Sequence, residues 1–280
     1  MPIHDHGYAR YAGVRTQPGR AWAVIAGAGI GRMLSARPFL LVLLFAWLQF
    51  FVRAVMFYLA ANVPQADVIA PSPATFRDFF DDQGFFVFVV AVYAGAGSIA
   101  NDRRANALQI YLSKPLTRVE YIGGKLAVVM AFLALVTWAP ALLLLVMQTM
   151  FTGSLSFVRE HAFLVPAITL FAFLQVLVAS ITMLALSSLS TSARYVGMLY
   201  AGAVIFSEAV FQTLRGVTGG GTGLSWVSFS ASLAQVGDVI FRVEPRYDTP
   251  WGVSLLAVAL VIALSAWVLA RRVRGVEIVA

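Results

Sequence analysis

The sequence predicts an all-α integral membrane protein with six transmembrane helices, and three observations carry that reading. Of its 280 residues, 60% are hydrophobic and 12% charged, with a mean hydropathy of +0.83, which lies outside the range of soluble globular domains. The apolar residues fall in blocks long enough to cross a bilayer, at about 20 residues per helix. The basic residues, finally, concentrate at alternate ends of those blocks.

The expected spans are about 39–61, 84–100, 125–148, 162–187, 194–213 and 250–270, within a single membrane domain covering 1–280. Fourteen Lys and Arg residues fall on one side of this arrangement: Arg10, Arg15, Arg20, Arg32 and Arg37, then Arg103, Arg104, Lys114, Arg118 and Lys125, then Arg194, then Arg271, Arg272 and Arg274. Five fall on the other side (Arg77, Arg159, Arg215, Arg242 and Arg246), together with most of the acids. The positive-inside bias therefore predicts that both termini are cytoplasmic. The net charge of +7 reflects this asymmetry facing an anionic leaflet of membrane lipids, and no nucleic-acid partner is expected. Without Cys there is no thiolate metal site and no Cys nucleophile. The Arg- and Gly-rich residues 1–38 do not read as a cleavable signal peptide, because the first apolar block comes too late and runs too long.

Before the first span, Trp22, Ile25, Ile30, Met33 and Leu34 recur at helical spacing between Arg20 and Arg37. That spacing predicts an interfacial elbow helix, although Gly27, Gly29 and Gly31 weaken it by about 1 kcal/mol each. The GAGIG run within it lacks the third glycine and the preceding strand of a dinucleotide fingerprint. In the first outer loop, Thr75 followed by Asp78 is a cap for a short helix leading into span two. Pro140 and Pro166 are expected to bend or start helices in spans three and four. The long connection 214–249 begins with a flexible GVTGGGTG linker, and LSWVSFSASLAQVGDVIF then reads as a re-entrant or interfacial outer segment before the last span.

The most polar stretch, NDRRANALQIYLSKPLTRVEYIGGK at 101–125, carries five basic residues and two acids. Asn101 or Asp102 can cap an amphipathic helix of about 101–113. Pro115 stops that helix, and Thr117 with Glu120 has the spacing of a capping box that starts the next one. The stretch therefore predicts helix, proline break and capped helix on the cytoplasmic face.

Inside the membrane, Arg53 and Glu208 each lie 14 residues past the start of spans one and five, roughly 21 Å above the inner boundary. Charges at such depth are usually paired, so the two are expected to pair with each other or across a dimer interface. Gln49, Thr137, Gln175, Ser180 and Thr182 read as polar contacts between helices. His4, His6 and His161 have no spacing that argues for a metal site, and none is expected.

The motif DRRANALQIYLSKPLTRVEYIGGK, with its L..YLS.PLTR..Y..GK core, resembles the intracellular motif of the permease subunits of type-2 ABC transporters. The six-span plan, the elbow helix, the outer segment before span six and the RRVRGVEIV tail are similar to the same family, in its small stand-alone form. The resemblance implies a prokaryotic inner-membrane permease that pairs with a second copy or a paralogue and sits on two separate cytoplasmic ABC ATPase subunits. It implies that the 101–113 helix is a coupling helix seated in an ATPase groove. Asp102, Arg103, Arg104, Asn106 and Gln109 would then make polar contacts, with Leu108 and Leu112 on the packed face. The chain has no GxxxxGK[ST] sequence, so no cofactor is expected on it; ATP and Mg would be held by the partner. Export is the expected direction. Two other classes stay open: an ion-coupled secondary transporter and a non-transport membrane scaffold. No nucleophile–base pair or catalytic carboxylate pair in the spans points to a membrane enzyme.

Overall fold

A computed structural model describes residues 20–63, 70–107 and 117–273. Among these residues the secondary structure is all helical. Six helical stretches are long and apolar enough to cross a membrane: Arg37–Asn62, Gly84–Arg104, Arg118–Thr152, Leu164–Leu189, Ala193–Val217 and Trp251–Arg272. Each overlaps one expected span.

The first helix, α1 (Ala21–Leu34), forms despite its glycines. A close approach explains one of them, Gly29, together with Gly124, which faces α1 from the third span. A Cβ on Gly124 would lie 2.8 Å from the Trp22 carbonyl oxygen and 2.8 Å from Ile25 Cβ, and one on Gly29 would lie 2.5 Å from a Val128 methyl. Small residues thus let α1 lie directly on the third span. The GAGIG run is helical, so it forms no loop of the phosphate-cradling kind. The first span starts at Arg37 with Pro38 in its first turn and is divided at Trp47 into α2 (Arg37–Ala46) and α3 (Leu48–Asn62). At that break the Ala46 carbonyl accepts a hydrogen bond from Gln83 Nε2 at 3.0 Å.

The helix α4 (Pro73–Asp82) begins one register earlier than expected. Ser72, not Thr75, is its N-cap: Ser72 Oγ accepts from the Thr75 amide at 3.3 Å, and Thr75 Oγ1 accepts from the Ser72 amide at 3.2 Å. Pro73 then occupies the first helical position, where its missing N–H is harmless. After Gln83 the chain continues at once as α5 (Gly84–Arg104).

The third span is one 35-residue stretch in two parts, α6 (Arg118–Val136) and α7 (Trp138–Thr152). At 1.5 Å per residue it is about 50 Å long, more than a hydrocarbon core of about 30 Å requires. The break falls at Thr137, three residues before Pro140, because proline withdraws its N–H from a carbonyl four residues back. Thr137 turns its own hydroxyl onto the Leu133 carbonyl at 2.8 Å. A short helix, α8 (Ser156–Glu160), leads to α9 (Leu164–Leu189), with Pro166 in its first turn.

Helix α9 is the central post, packed against α5, α6, α7, α10 (Ala193–Val217), α11 (Phe229–Ile240) and α12 (Trp251–Arg272). The apolar windows of the third and fourth spans are 56% buried, whereas those of the first and fifth are 17% buried. The outer spans therefore present Leu, Phe, Val and Met to their surroundings, as lipid or another apolar surface requires. Two apolar cores result. One joins α1, α2, α5, α6 and α9 around Ile99, Val129, Leu133 and Met183. The other is rich in aromatic residues, with Phe79, Phe80, Phe171 and Phe241 in ring contact and Phe76 against Phe57 and Phe157.

Candidate functional site

The end of the bundle that carries Arg103, Lys125, Arg194 and Arg271 is its basic end, and the polar hinge emerges there. Helix α5 does not stop near residue 100. It runs through Asn101, Asp102 and Arg103 to Arg104, so no new helix is capped at 101 or 102, and the expected 101–113 boundary is corrected. The stop comes from Asn106, which has a φ of +52°, the left-handed conformation that Asn tolerates just past a helix end. Its amide donates to the Arg103 carbonyl at 3.2 Å. Leu108, Gln109, Leu112 and Pro115 lie outside the described residues.

The residues around this stop form a clamp. Asp102 Oδ2 lies 2.7 Å from Lys125 Nζ and accepts the Tyr121 hydroxyl proton at 2.7 Å. Lys125 also donates to the Ser98 carbonyl at 2.9 Å, one turn below on α5. Asp102 and Lys125 are only 16% and 17% exposed, so solvent screens the pair less than an ordinary surface pair. Arg103 donates to the Ser188 carbonyl at the end of α9. The neighbouring Ser187 inserts its hydroxyl into the α5 backbone: it donates to the Ala96 carbonyl at 2.7 Å and faces the amides of Ile99 and Ala100 at 3.0 Å. On the return side, Glu120 Oε2 accepts from the Thr117 amide at 3.0 Å and Thr117 Oγ1 from the Glu120 amide at 3.2 Å. That completes the capping box read from the sequence. Gly124, the seat of α1, directly precedes Lys125.

Of the polar residues assigned to partner contact, Asp102 and Arg103 are therefore occupied inside the bundle, while Arg104 and Asn106 are exposed. The first two tie the end of α5 to α6 and α9; the last two stay exposed.

At the opposite, acidic end, Arg53 and Glu208 do not pair with each other within the chain. Arg53 meets Asp82 Oδ2 at 2.5 Å and donates to the Thr75 carbonyl at 3.0 Å. Glu208 accepts from Ser228 Oγ and from Gln212 Nε2, both at 2.6 Å. Equal depth along two helices did not bring the side chains together, because each charge is turned toward a different neighbour. Each holds an element that folds back along the bundle: Arg53 holds α4, and Glu208 holds Ser228, the N-cap of α11. Glu208 lies nine residues before the end of α10, about 13 Å along the helix. The chain after Val217 thus returns beside α10 before α11 begins, and α11 buries Ser232, Gln235 and Asp238 among the spans.

Sequence reasoning missed the charge cluster at this end. Arg77 is fully buried, with Nε 3.0 Å from Asp238 Oδ1 and a terminal nitrogen 2.5 Å from Asp81 Oδ1. It also donates to the Ala234 carbonyl at 3.0 Å and lies over the Phe171 ring at 4.9 Å. Arg246 joins Asp81, Asp238 at 3.3 Å and Asp78 at 3.4 Å. One signal was available, since Arg77 and Asp81 stand one helical turn apart. A second was Asp238, a lone acid in an apolar segment. In the loop beyond, the hydroxyl and amide of Thr222 hold the Asp248 carboxyl below the usual carboxylate range.

Among the polar residues inside the spans, Ser265 donates to Thr182 across α9 and α12 at 3.4 Å, whereas Gln175 Oε1 and Ser180 Oγ are buried without a partner among the described residues. No group of His, Cys, Asp or Glu among the described residues has the arrangement of a metal site. No protein-family model matches the chain, and no curated protein matches it.

Proposed function

We propose that the chain is the transmembrane subunit of an ATP-driven ABC transporter, an exporter of the type-2 kind in a prokaryotic inner membrane. Its basic end and both termini face the cytoplasm, and it works as a pair with a second copy or a paralogue. The observation that carries this reading is the clamp at the hinge. A polar segment leaving the membrane is tied at one root by Asp102, Tyr121 and Lys125, and at the other by the Thr117–Glu120 box. Arg103 and Ser187 join the same root to the central helix α9. A force applied to the hinge would reach three spans through short, partly buried bonds, as coupling to a moving soluble partner demands.

The remaining support is chemical. The chain contains no P-loop sequence, so ATP and Mg would be bound by two partner ATPase subunits, with Arg104, Asn106 and the residues after them as the contact. The excess of Lys and Arg at the hinge end favours a cytoplasmic placement. The weakly buried first and fifth spans offer apolar faces to a second permease and to lipid.

The test is purification of the tagged chain from its native membrane. A P-loop ATPase is expected to co-purify, and transport is expected to stop when that ATPase is inactivated. Transport that persists on an ion gradient alone would replace this reading with a secondary transporter.

A further inference from the structure

Helices α5 and α10 touch closely toward the basic end, where a Cβ on Gly197 would lie 3.2 Å from a Val92 methyl. Three residues along α10, Tyr200 stacks on Phe88 with ring centroids 5.3 Å apart. Beyond that stack the two helices leave room for a chamber of 520 Å³, within the about 300–1,000 Å³ range of small-molecule sites. Helix α9 forms its back wall, and α4 and α11 close its top. Six aromatic rings line it: Phe80, Phe85, Phe88, Phe171, Tyr200 and Phe229. At the flank, Phe85 and Ile205 are both 67% exposed, so the mouth opens sideways, between two spans. A second cavity of 240 Å³ shares Tyr200, Val204 and Phe229 with it.

Two features give the chamber a chemical preference. Gln175 is 7% exposed, lines the back wall, and its amide oxygen has no hydrogen-bond partner among the described residues. A buried acceptor left unmade is costly, and a ligand donor would satisfy it. The second feature is charge. Asp81 stands at the rim, in a cluster of three carboxylates (Asp78, Asp81, Asp238) against two guanidiniums (Arg77, Arg246), which leaves one negative charge in excess. Aromatic faces also attract cations.

We infer that this chamber binds amphipathic organic cations, molecules with an apolar body and one charged, N–H-bearing group, entering from the bilayer through the mouth beside Phe85 and Ile205. The apolar body would fill the aromatic chamber, the N–H would reach Gln175 Oε1, and the positive charge would face the Asp81 rim. This deepens the transport reading by naming the cargo class, and it is tested without any ATPase. A failure to bind therefore removes the site and leaves the coupling tests untouched.

The probe is rhodamine 6G, an aromatic cation with N–H groups, titrated by fluorescence anisotropy into the chain in lipid nanodiscs, with empty nanodiscs subtracted. Saturable binding is expected. Gly84 lines the chamber, and a Cβ built on it meets open space, so Gly84→Leu fills the chamber while the helix keeps its geometry. That variant is expected to lose about tenfold or more in affinity. Gly252→Leu, also in open space but away from the chamber, should bind as the parent does. Gln175→Leu should weaken binding by about three- to tenfold, the worth of one hydrogen bond. The anionic analogue sulforhodamine 101 should bind more weakly than the cation. Purely non-saturable uptake, parental affinity in Gly84→Leu, or equal affinity for the anionic dye would each overturn the proposal.

Discussion

Replacing Arg77 by methionine probes the packing of the acidic end most sharply. The guanidinium and its partner Asp238 are both 0% exposed and 3.0 Å apart. Methionine keeps most of the apolar stem but leaves a buried carboxylate with one cation fewer. Breaking a buried pair from one side costs about 3–5 kcal/mol. Two compensations keep the figure at the lower end. Arg246 still lies 3.3 Å from Asp238 Oδ1, and its amide still donates to Oδ2 at 3.2 Å. The loss of the contact with Phe171 adds about 0.5–2 kcal/mol. The expected destabilisation is about 4 kcal/mol, or roughly a thousandfold in the unfolding equilibrium. Reversible unfolding in mixed micelles, followed by circular dichroism, measures it. The double variant Arg77→Met/Asp238→Leu removes both charges and should recover most of the loss. A single variant as stable as the parent, or a double variant no better than the single, would refute the claim that this pair holds α4 to α11.

Two further outcomes follow from other contacts. Gly124→Val would drive a side chain into the Trp22 carbonyl and Ile25, costing about 1–3 kcal/mol by overpacking. Faster hydrogen exchange is expected in Ala21–Leu34 than in the central helix Leu164–Leu189, and unchanged protection of the first helix would contradict the close packing. At Asp248 the lowered carboxyl pKa means that its bonds to Thr222 favour the folded loop above the ordinary value of 3.8, and that this contribution is lost as the pH falls below it. The fluorescence of Trp226, isolated by difference with Trp226→Phe, should change between pH 5 and pH 2 in the parent and much less in Asp248→Asn. Equal changes in both would count against the loop contact.

The spans were legible because a bilayer leaves few solutions: six long apolar blocks had to be helices, and the structure places a helix on each. The Thr117–Glu120 box was legible because capping is local chemistry, settled within four residues. The end of the second span was not. The cluster Asn101-Asp102-Arg103-Arg104 reads as the capped start of a new helix, yet it continues the second span, held by Lys125, Tyr121 and the Ser188 carbonyl, and the stop is set by the backbone of Asn106. The start of α4 was readable from Ser72-Pro73, a cap followed by proline at the first helical position; the Thr75–Asp78 spacing is a competing signal inside the same helix. Arg53 and Glu208 show the limit of depth arguments. Position along the helix axis follows from counting residues, but direction around the axis depends on packing that a single sequence does not state. Arg77 was hidden for the same reason: its burial comes from α11, more than 150 residues later, and from Phe171 on the central helix.

In the proposed transporter the hinge carries force between a soluble ATPase and the spans. With the co-purified ATPase reconstituted beside the chain in proteoliposomes, ATP hydrolysis and cargo movement can be measured on the same vesicles. Replacing Asp102, Arg103 and Arg104 together by alanine should leave the chain inserted and ATP hydrolysis running, while transport falls to background. Hydrolysis and transport that both continue at the parental ratio would contradict the claim.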